Sequence, residues 1–219
     1  VAASAGRVEA VLEAVRELET PLGHLLLNPP YTRKSRRVGR IADIVPGQFE
    51  NGSIYTHGQS FLIYGLLAQG LADRALIELK KVLSGGNIPD IATGPPHQLS
   101  NFTVGASHQH FGRNLYSNFT GSVNWLRKSL DRMLGLLPGI DCLVVDPAAP
   151  SAWEQYEVVK EFRGCRVSAR IENPDGEGSR VVSASLDEEA LPVLDGRVRI
   201  GRERFAGRDD ATLEVLLGR

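Results

Sequence analysis

The chain has 219 residues, with 25 Lys/Arg against 26 Asp/Glu and a formal net charge of -1. That length holds one large domain or two small ones with a sizeable core, and so even a balance lacks the positive excess of bulk nucleic-acid binders. With 42% hydrophobic and 23% charged residues, two cysteines and no apolar run of membrane-spanning length, the composition excludes disorder, a collagen-like repeat, a membrane span and a disulfide scaffold.

Two cysteines, Cys142 and Cys165, read as core residues of a protein in a reducing compartment, and a cytoplasmic location is expected. The chain opens Val1-Ala2-Ala3-Ser4-Ala5-Gly6 without an initiator Met. No basic start followed by an apolar stretch reads as a signal peptide. A processed product and a piece of something longer both fit this start.

The charge is divided unevenly. Residues 1–137 carry a balance of +4 and all five histidines, whereas residues 138–219 carry -5. The first part reads as helices joined by long polar loops. Val8, Val11, Leu12, Val15 and Leu18 recur at helical spacing and predict an amphipathic helix ended by Pro21. A second helix is predicted over 57–69, apolar on most sides and therefore buried, stopped by Gly70. A third covers 72–83, with Asp73 near its start and Lys80 and Lys81 near its end, as the helix dipole favours. A fourth begins near Ser122, with Val123, Leu126, Leu130, Met133 and Leu134 in one stripe, and ends at Gly135 and Pro138.

The second part reads as strands. These are Leu143-Val144-Val145, the alternating run 167–171, the run 180–186, Val198-Arg199-Ile200 and the run 212–216. Turns fall at Asn173-Pro174-Asp175-Gly176 and Leu194-Asp195-Gly196-Arg197. Their spacing suggests an antiparallel sheet or sandwich.

The densest polar cluster is Glu50-Asn51-Gly52-Ser53-Ile54-Tyr55-Thr56-His57. Asn51-Gly52 favours a tight turn, and His57 falls at a helix start, where backbone N–H groups attract anions. A surface turn with Thr56 as a cap explains the same string. Asn118-Phe119-Thr120-Gly121-Ser122 precedes the fourth helix; it could seat an oxyanion or be an ordinary cap. The loop 94–118, with His97, Gln98, Asn101, His108, His110, Arg113 and Tyr116, suits sugar hydroxyls and faces. His108 and His110 are a weak pair of metal ligands, and no metal site is expected. The basic run Arg33-Lys34-Ser35-Arg36-Arg37 reads as a solvated loop, and Trp125 as packing.

Taken in order, several strings resemble the glycoside hydrolase family 94 phosphorylases, whose members include cellobiose, chitobiose, cellobionic acid and cellodextrin phosphorylases. They are Gly39-Arg40-Ile41, Pro46-Gly47, Glu50 through His57, Gly70-Leu71-Ala72-Asp73-Arg74-Ala75 and Phe119-Thr120-Gly121-Ser122-Val123-Asn124-Trp125. Leu134-Gly135-Leu136, Asp141-Cys142-Leu143, Asp146-Pro147, Pro150, Trp153, Phe162-Arg163-Gly164 and Ile171-Glu172-Asn173-Pro174 follow. The resemblance spans roughly residues 20–200.

The resemblance implies a mainly α part followed by a β part: the C-terminal part of an (α/α)6 barrel over 1–137 and a small antiparallel β-domain over 138–219. It implies an inverting β-glucoside phosphorylase that makes a sugar 1-phosphate, with inorganic phosphate as co-substrate and no cofactor. It places His57, Thr120 and Gly121 at the phosphate, and Glu50 and Gln98 at the sugar. The family's general acid, an Asp in a Trp-Asn-Asp string, has no counterpart here. The chain is therefore expected to be a C-terminal portion, inactive by itself, with the acid upstream. Expected partners are a β-linked oligosaccharide and phosphate, with a homodimer of a longer parent as a further option. The alternatives are the phosphorylase-like end of a cyclic β-1,2-glucan synthase and a non-catalytic carbohydrate-binding module.

Overall fold

The structure, a computed structural model, describes residues 5–83, 101–116, 121–176 and 180–218. Two compact units are present, one formed by 1–65 with 77–126, the other by 66–76 with 127–219.

The first unit opens with α1 (Val8–Arg16), which has the predicted amphipathic spacing but buries no side chain completely. Its apolar stripe is half-covered, and the chain turns directly into the hairpin β1 (Glu19–Thr20) and β2 (Gly23–His24). Leu22, Leu25 and Ile54 form a small core, joined by Leu18. β3 (Ile54–Tyr55) pairs antiparallel with β4 (Phe102–Thr103), which pairs with β5 (Asn114–Tyr116).

α2 (Thr56–Ala68) follows β3 without a linker and has almost no amphipathic character, in keeping with Ile63, Leu66 and Leu67 being buried. Its end is a glycine cap: Gly70 takes φ +74°, and the Leu71 N–H reaches back to the Leu66 carbonyl at 2.9 Å. A residue in the left-handed region satisfies the last carbonyls of a helix, and glycine does so without strain. α3 (Ala72–Val82) begins two residues later.

α4 (Ser122–Leu134) begins within the residues of the first unit and ends, in the second, at Gly135, and short strand β6 (Leu136–Pro138) follows. A β-sandwich accounts for the rest. One sheet has the order β12 (Val193–Leu194), β13 (Arg197–Gly201), β7 (Cys142–Val145), β6. The other has the order β11 (Glu189–Ala190), β10 (Arg180–Leu186), β14 (Asp210–Gly218), β9 (Cys165–Glu172), β8 (Gln155–Phe162). Both cysteines are buried free thiols, Cys165 inside the sandwich core with Val167, Ile171, Leu213 and Phe205. The outward face of the larger sheet alternates in charge. Arg166 lies between Glu161 and Asp210, and Arg170 between Glu157 and Glu214, in neighbouring-strand register. Opposite charges across strands favour one register over a slipped one.

The expected architecture is corrected on two counts. Among the described residues, four α-helices accompany fourteen strands in four sheets, helix and strand contents are about equal, and no helical barrel is formed. Helix does not dominate the chain because the loops of the first part carry strands of two or three residues, too short for any period to register, and the second part is built of strands. The β part is not purely antiparallel, because β14 pairs parallel with β9, from Asp210 against Arg166 to Leu216 against Glu172. A parallel pair needs a long connection, and the segment containing β10 to β13 supplies it.

Candidate functional site

The Glu50–His57 string is built on a buried amide. Asn51 is fully buried, and its side chain is saturated: Oδ1 accepts from the Tyr31 N–H at 2.8 Å, and Nδ2 donates to the carbonyls of Tyr31 and Ile44 at 2.9 and 2.8 Å. Its backbone closes a small loop with Gln48 and Gly47. Gly52 has φ +94°, and a Cβ there would stand 3.1 Å from the Leu27 carbonyl oxygen. Gly105 lies against it so closely that a Cβ on Gly105 would overlap the Gly52 carbonyl oxygen at 1.8 Å. Two glycine backbones in contact thus fix the floor from which Ser53, Ile54 and Tyr55 lead into α2. The sequence reading of Asn51-Gly52 as a turn holds for Gly52; the amide of Asn51 acts as a buried pin instead.

Glu50, on this loop, is half-buried and pairs with the Arg40 guanidinium at 2.5 Å. The pair is solvent-exposed on the arginine side, so it contributes little to stability and leaves the carboxylate accessible.

His57 occupies the first turn of α2. Its ring is held on several sides. The Tyr55 hydroxyl lies 3.2 Å from Nδ1, and the Phe61 ring, one helical turn on, lies 4.7 Å away between centroids. Gly121, immediately before α4, faces the other nitrogen: an added Cβ would come within 2.8 Å of Nε2 and 3.0 Å of Cε1. The start of α2 and the start of α4 therefore meet at one imidazole. Each is a 13-residue helix whose first N–H groups have no partner within the helix. The first residue of α4, Ser122, is fully buried, and its hydroxyl has no hydrogen-bond partner among the described residues.

Aromatic rings continue on either side of His57. Tyr55 stacks on Phe102 at 4.4 Å and 11°, and Phe102 meets Phe49 edge-on at 5.4 Å. Beyond Phe61, Trp125 is in edge contact with both Phe61 and Tyr64, at 4.9 and 5.4 Å. Trp125 does pack, as its place on the helix predicts, and what it packs is the ring beside His57.

Of the predicted site residues, His57 and Gly121 are brought into contact, and Glu50 sits on the loop leading to them. Gln98 and Thr120, like His97, lie outside the described residues. Among the described residues no group of three or more His, Cys, Asp or Glu side chains could hold a metal ion. His108 and His110 instead bond locally, the His110 N–H donating to His108 Nδ1 at 3.1 Å.

Sequence reasoning missed a second polar centre. His24 is buried on β2, where its N–H donates to Gln59 Oε1 at 3.0 Å. Gln59 Nε2 donates to Glu78 at 3.0 Å, and Lys81 bridges Glu78 and Glu19 at 3.1 and 2.6 Å. Burial pushes the His24 imidazole below its ordinary pKa, with the Glu78 carboxylate partly offsetting it. The only sequence signal was Gln59, Glu78 and Lys81 interrupting otherwise helical patterns. Tyr55 was missed too; it is the last residue of β3, directly before α2, and its hydroxyl reaches the His57 ring.

Comparison with known proteins bears on this geometry. Residues 1–135 match the family described as "Glycosyl hydrolase 94 superfamily, catalytic domain", and the chain belongs to that family. It is similar to solabiose phosphorylase of Paenibacillus borealis, 30% identical over 84% of this chain and 25% of the relative. It is also similar to N,N'-diacetylchitobiose phosphorylase of Vibrio furnissii, 30% identical over 90% of this chain and 25% of the relative. Against cellobionic acid phosphorylase of Neurospora crassa it is 32% identical over 78% of this chain and 22% of the relative. The chain thus spans about a quarter of the length of these relatives. Among the described residues no helix is long and apolar enough to cross a membrane.

Proposed function

We propose that this chain supplies the phosphate side of an inverting β-glucoside phosphorylase. The observation that carries the reading is the approach of Gly121 to His57 Nε2, where two helix starts converge. Helix N-termini favour anions through unpaired N–H groups and the dipole. His57, Gly121 and Thr120 bind inorganic phosphate in this reading, while Glu50 and Gln98 bind hydroxyls of a β-linked di- or oligosaccharide. A phosphate oxygen attacks the anomeric carbon as the glycosidic C–O bond breaks, and the leaving oxygen takes a proton from a general acid. The products are an inverted sugar 1-phosphate and the shortened sugar. Phosphate is itself the nucleophile, so no second carboxylate has to activate a water, unlike inverting hydrolysis.

The general acid is not assigned to this chain: the sequence contains no Trp-Asn-Asp string. It comes from a segment beyond these residues. The reading requires no cofactor besides the phosphate co-substrate, and a cytoplasmic enzyme agrees with the two buried free thiols.

Phosphorolysis measured on a longer product of the same gene tests this. A β-linked disaccharide with phosphate should yield sugar 1-phosphate, and the 219-residue chain alone should yield none. Phosphate-independent release of free sugar would overturn the phosphorylase reading. Turnover by the chain alone would overturn the division of the site.

A further inference from the structure

The geometry points to Tyr55 as a positioning residue that selects which ring nitrogen of His57 carries the proton, turning Nε2–H toward the start of α4; the inference rests on the phosphate reading above and specifies how that site is set.

A neutral imidazole has one N–H donor and one bare nitrogen acceptor, and the hydrogen bond made at one nitrogen decides the state of the other. At His57 the two nitrogens have different neighbours. Nδ1 lies 3.2 Å from the Tyr55 hydroxyl. Nε2 faces Gly121 across a gap too small for a methyl group. A phenol O–H is a stronger donor than an imidazole N–H, and an imidazole nitrogen is a better acceptor than a phenol oxygen. Tyr55 therefore donates to Nδ1, which leaves the proton on Nε2.

Tyr55 is itself fixed for this task. Its backbone pairs with Phe102 between β3 and β4, and its ring stacks on the Phe102 ring at 4.4 Å. The imidazole is held against Phe61 on α2. Both partners of the Tyr55–His57 bond are thus oriented by packing, one from a strand and one from a helix.

The consequence for an anion is direct. With the proton on Nε2, the ring adds an N–H donor beside the first N–H groups of α4. The opposite tautomer would present a lone pair to phosphate oxygens. The serine at the first residue of α4, buried and without a hydrogen-bond partner among the described residues, carries a further hydroxyl in the same turn.

The test is long-range proton–nitrogen NMR of the 219-residue chain labelled at histidine, at alkaline pH, with His57 assigned by its loss in His57→Gln. The expected pattern is the Nε2–H tautomer. In Tyr55→Phe, which keeps the stacking ring, His57 should shift to a mixture of tautomers. A wild-type His57 in the Nδ1–H form, or a Tyr55→Phe pattern identical to wild type, would overturn the proposal. The wild-type measurement decides this even if the variant does not fold. Titration with inorganic phosphate separates the two readings. A phosphate-dependent shift of the His57 signals, weakened roughly five- to tenfold in Tyr55→Phe, supports both, since one hydrogen bond is worth about 1 kcal/mol. The expected tautomers without any response to phosphate would support tautomer control and overturn the phosphate assignment.

Discussion

Gly121 and His57, sixty-four positions apart in the chain, approach so closely that a single methyl group on Gly121 would lie 2.8 Å from the imidazole Nε2. Gly121 is not among the residues with a left-handed backbone. Its lack of a side chain therefore matters for the space beside the ring and not for backbone freedom.

Gly121→Ala should accordingly crowd the imidazole that Tyr55 and Phe61 hold and displace it at some cost in stability. A loss of about 1–3 kcal/mol in denaturant unfolding is expected, as for other substitutions that overpack a filled space. In a phosphorolysis assay the KM for phosphate should rise at least about tenfold, equivalent to roughly 1.4 kcal/mol, with the sugar KM little altered. Equal losses for both substrates would show that the contact is not on the phosphate side.

Asn51→Ala should destabilise the first unit. The substitution leaves the Tyr31 N–H and the Tyr31 and Ile44 carbonyls without the amide that now pairs with them. Buried groups stripped of partners cost about 1–3 kcal/mol each when water cannot reach them, so a total of roughly 2–4 kcal/mol is expected from urea unfolding. A loss below about 0.5 kcal/mol would mean that water replaces the amide.

Asp146→Asn tests the second unit. Asp146 is buried and meets the guanidiniums of Arg132, on α4, and Arg197, on β13. Arg132 is itself largely covered, so removing the carboxylate leaves a poorly hydrated cation. Breaking such a pair costs about 3 kcal/mol, towards the lower limit here because Arg197 is open to solvent. Thermal unfolding of the variant reads the effect, and a melting point equal to wild type would refute the assignment.

His24 makes stability depend on pH with a definite sign. Burial holds its folded pKa below the ordinary 6.5. Between the two values the unfolded chain binds the extra proton, so stability rises with pH. The neutral ring's contribution is complete above pH 6.5 and is lost as pH falls from there through the lowered value. The difference in unfolding free energy between wild type and His24→Gln should shrink or reverse as pH falls below 6.5. Parallel curves for the two proteins would rule His24 out as the source.

Long, strongly patterned elements were legible in the sequence. The unbroken apolar run of α2 marks a buried helix, while the stripe of α4 and the strict alternation of β9 each state their period over eight or more residues. β8 was not legible. Tyr156, Val158 and Phe162 fall on its inward face, but Val159 facing out and Lys160 facing in break the alternation of residue types. Two-residue strands such as β3 and β4 have no period to read, yet their pairing places Tyr55 on Phe102. The His57–Gly121 contact is long-range, and no local pattern encodes it. Both residues were singled out as helix starts, but only the family resemblance joined them. The network from His24 to Glu19 left only polar interruptions of helical patterns as a local signal, because its pairings join residues far apart in the chain.

The position of β14 carries a consequence for how the chain acquires its structure. This last strand lies between β10 and β9, antiparallel to one and parallel to the other. During synthesis β8 with β9, and β10 with β11, can form two separate hairpins, each with an open edge of unpaired N–H and C=O groups. Neither can join the other until the final segment emerges and threads between them. The larger sheet is therefore completed late, through contacts distant in sequence, which are the slow ones to form. Until then two adhesive edges are exposed, so the segment Asp210–Gly218 acts as the keystone of the sandwich as well as one of its strands.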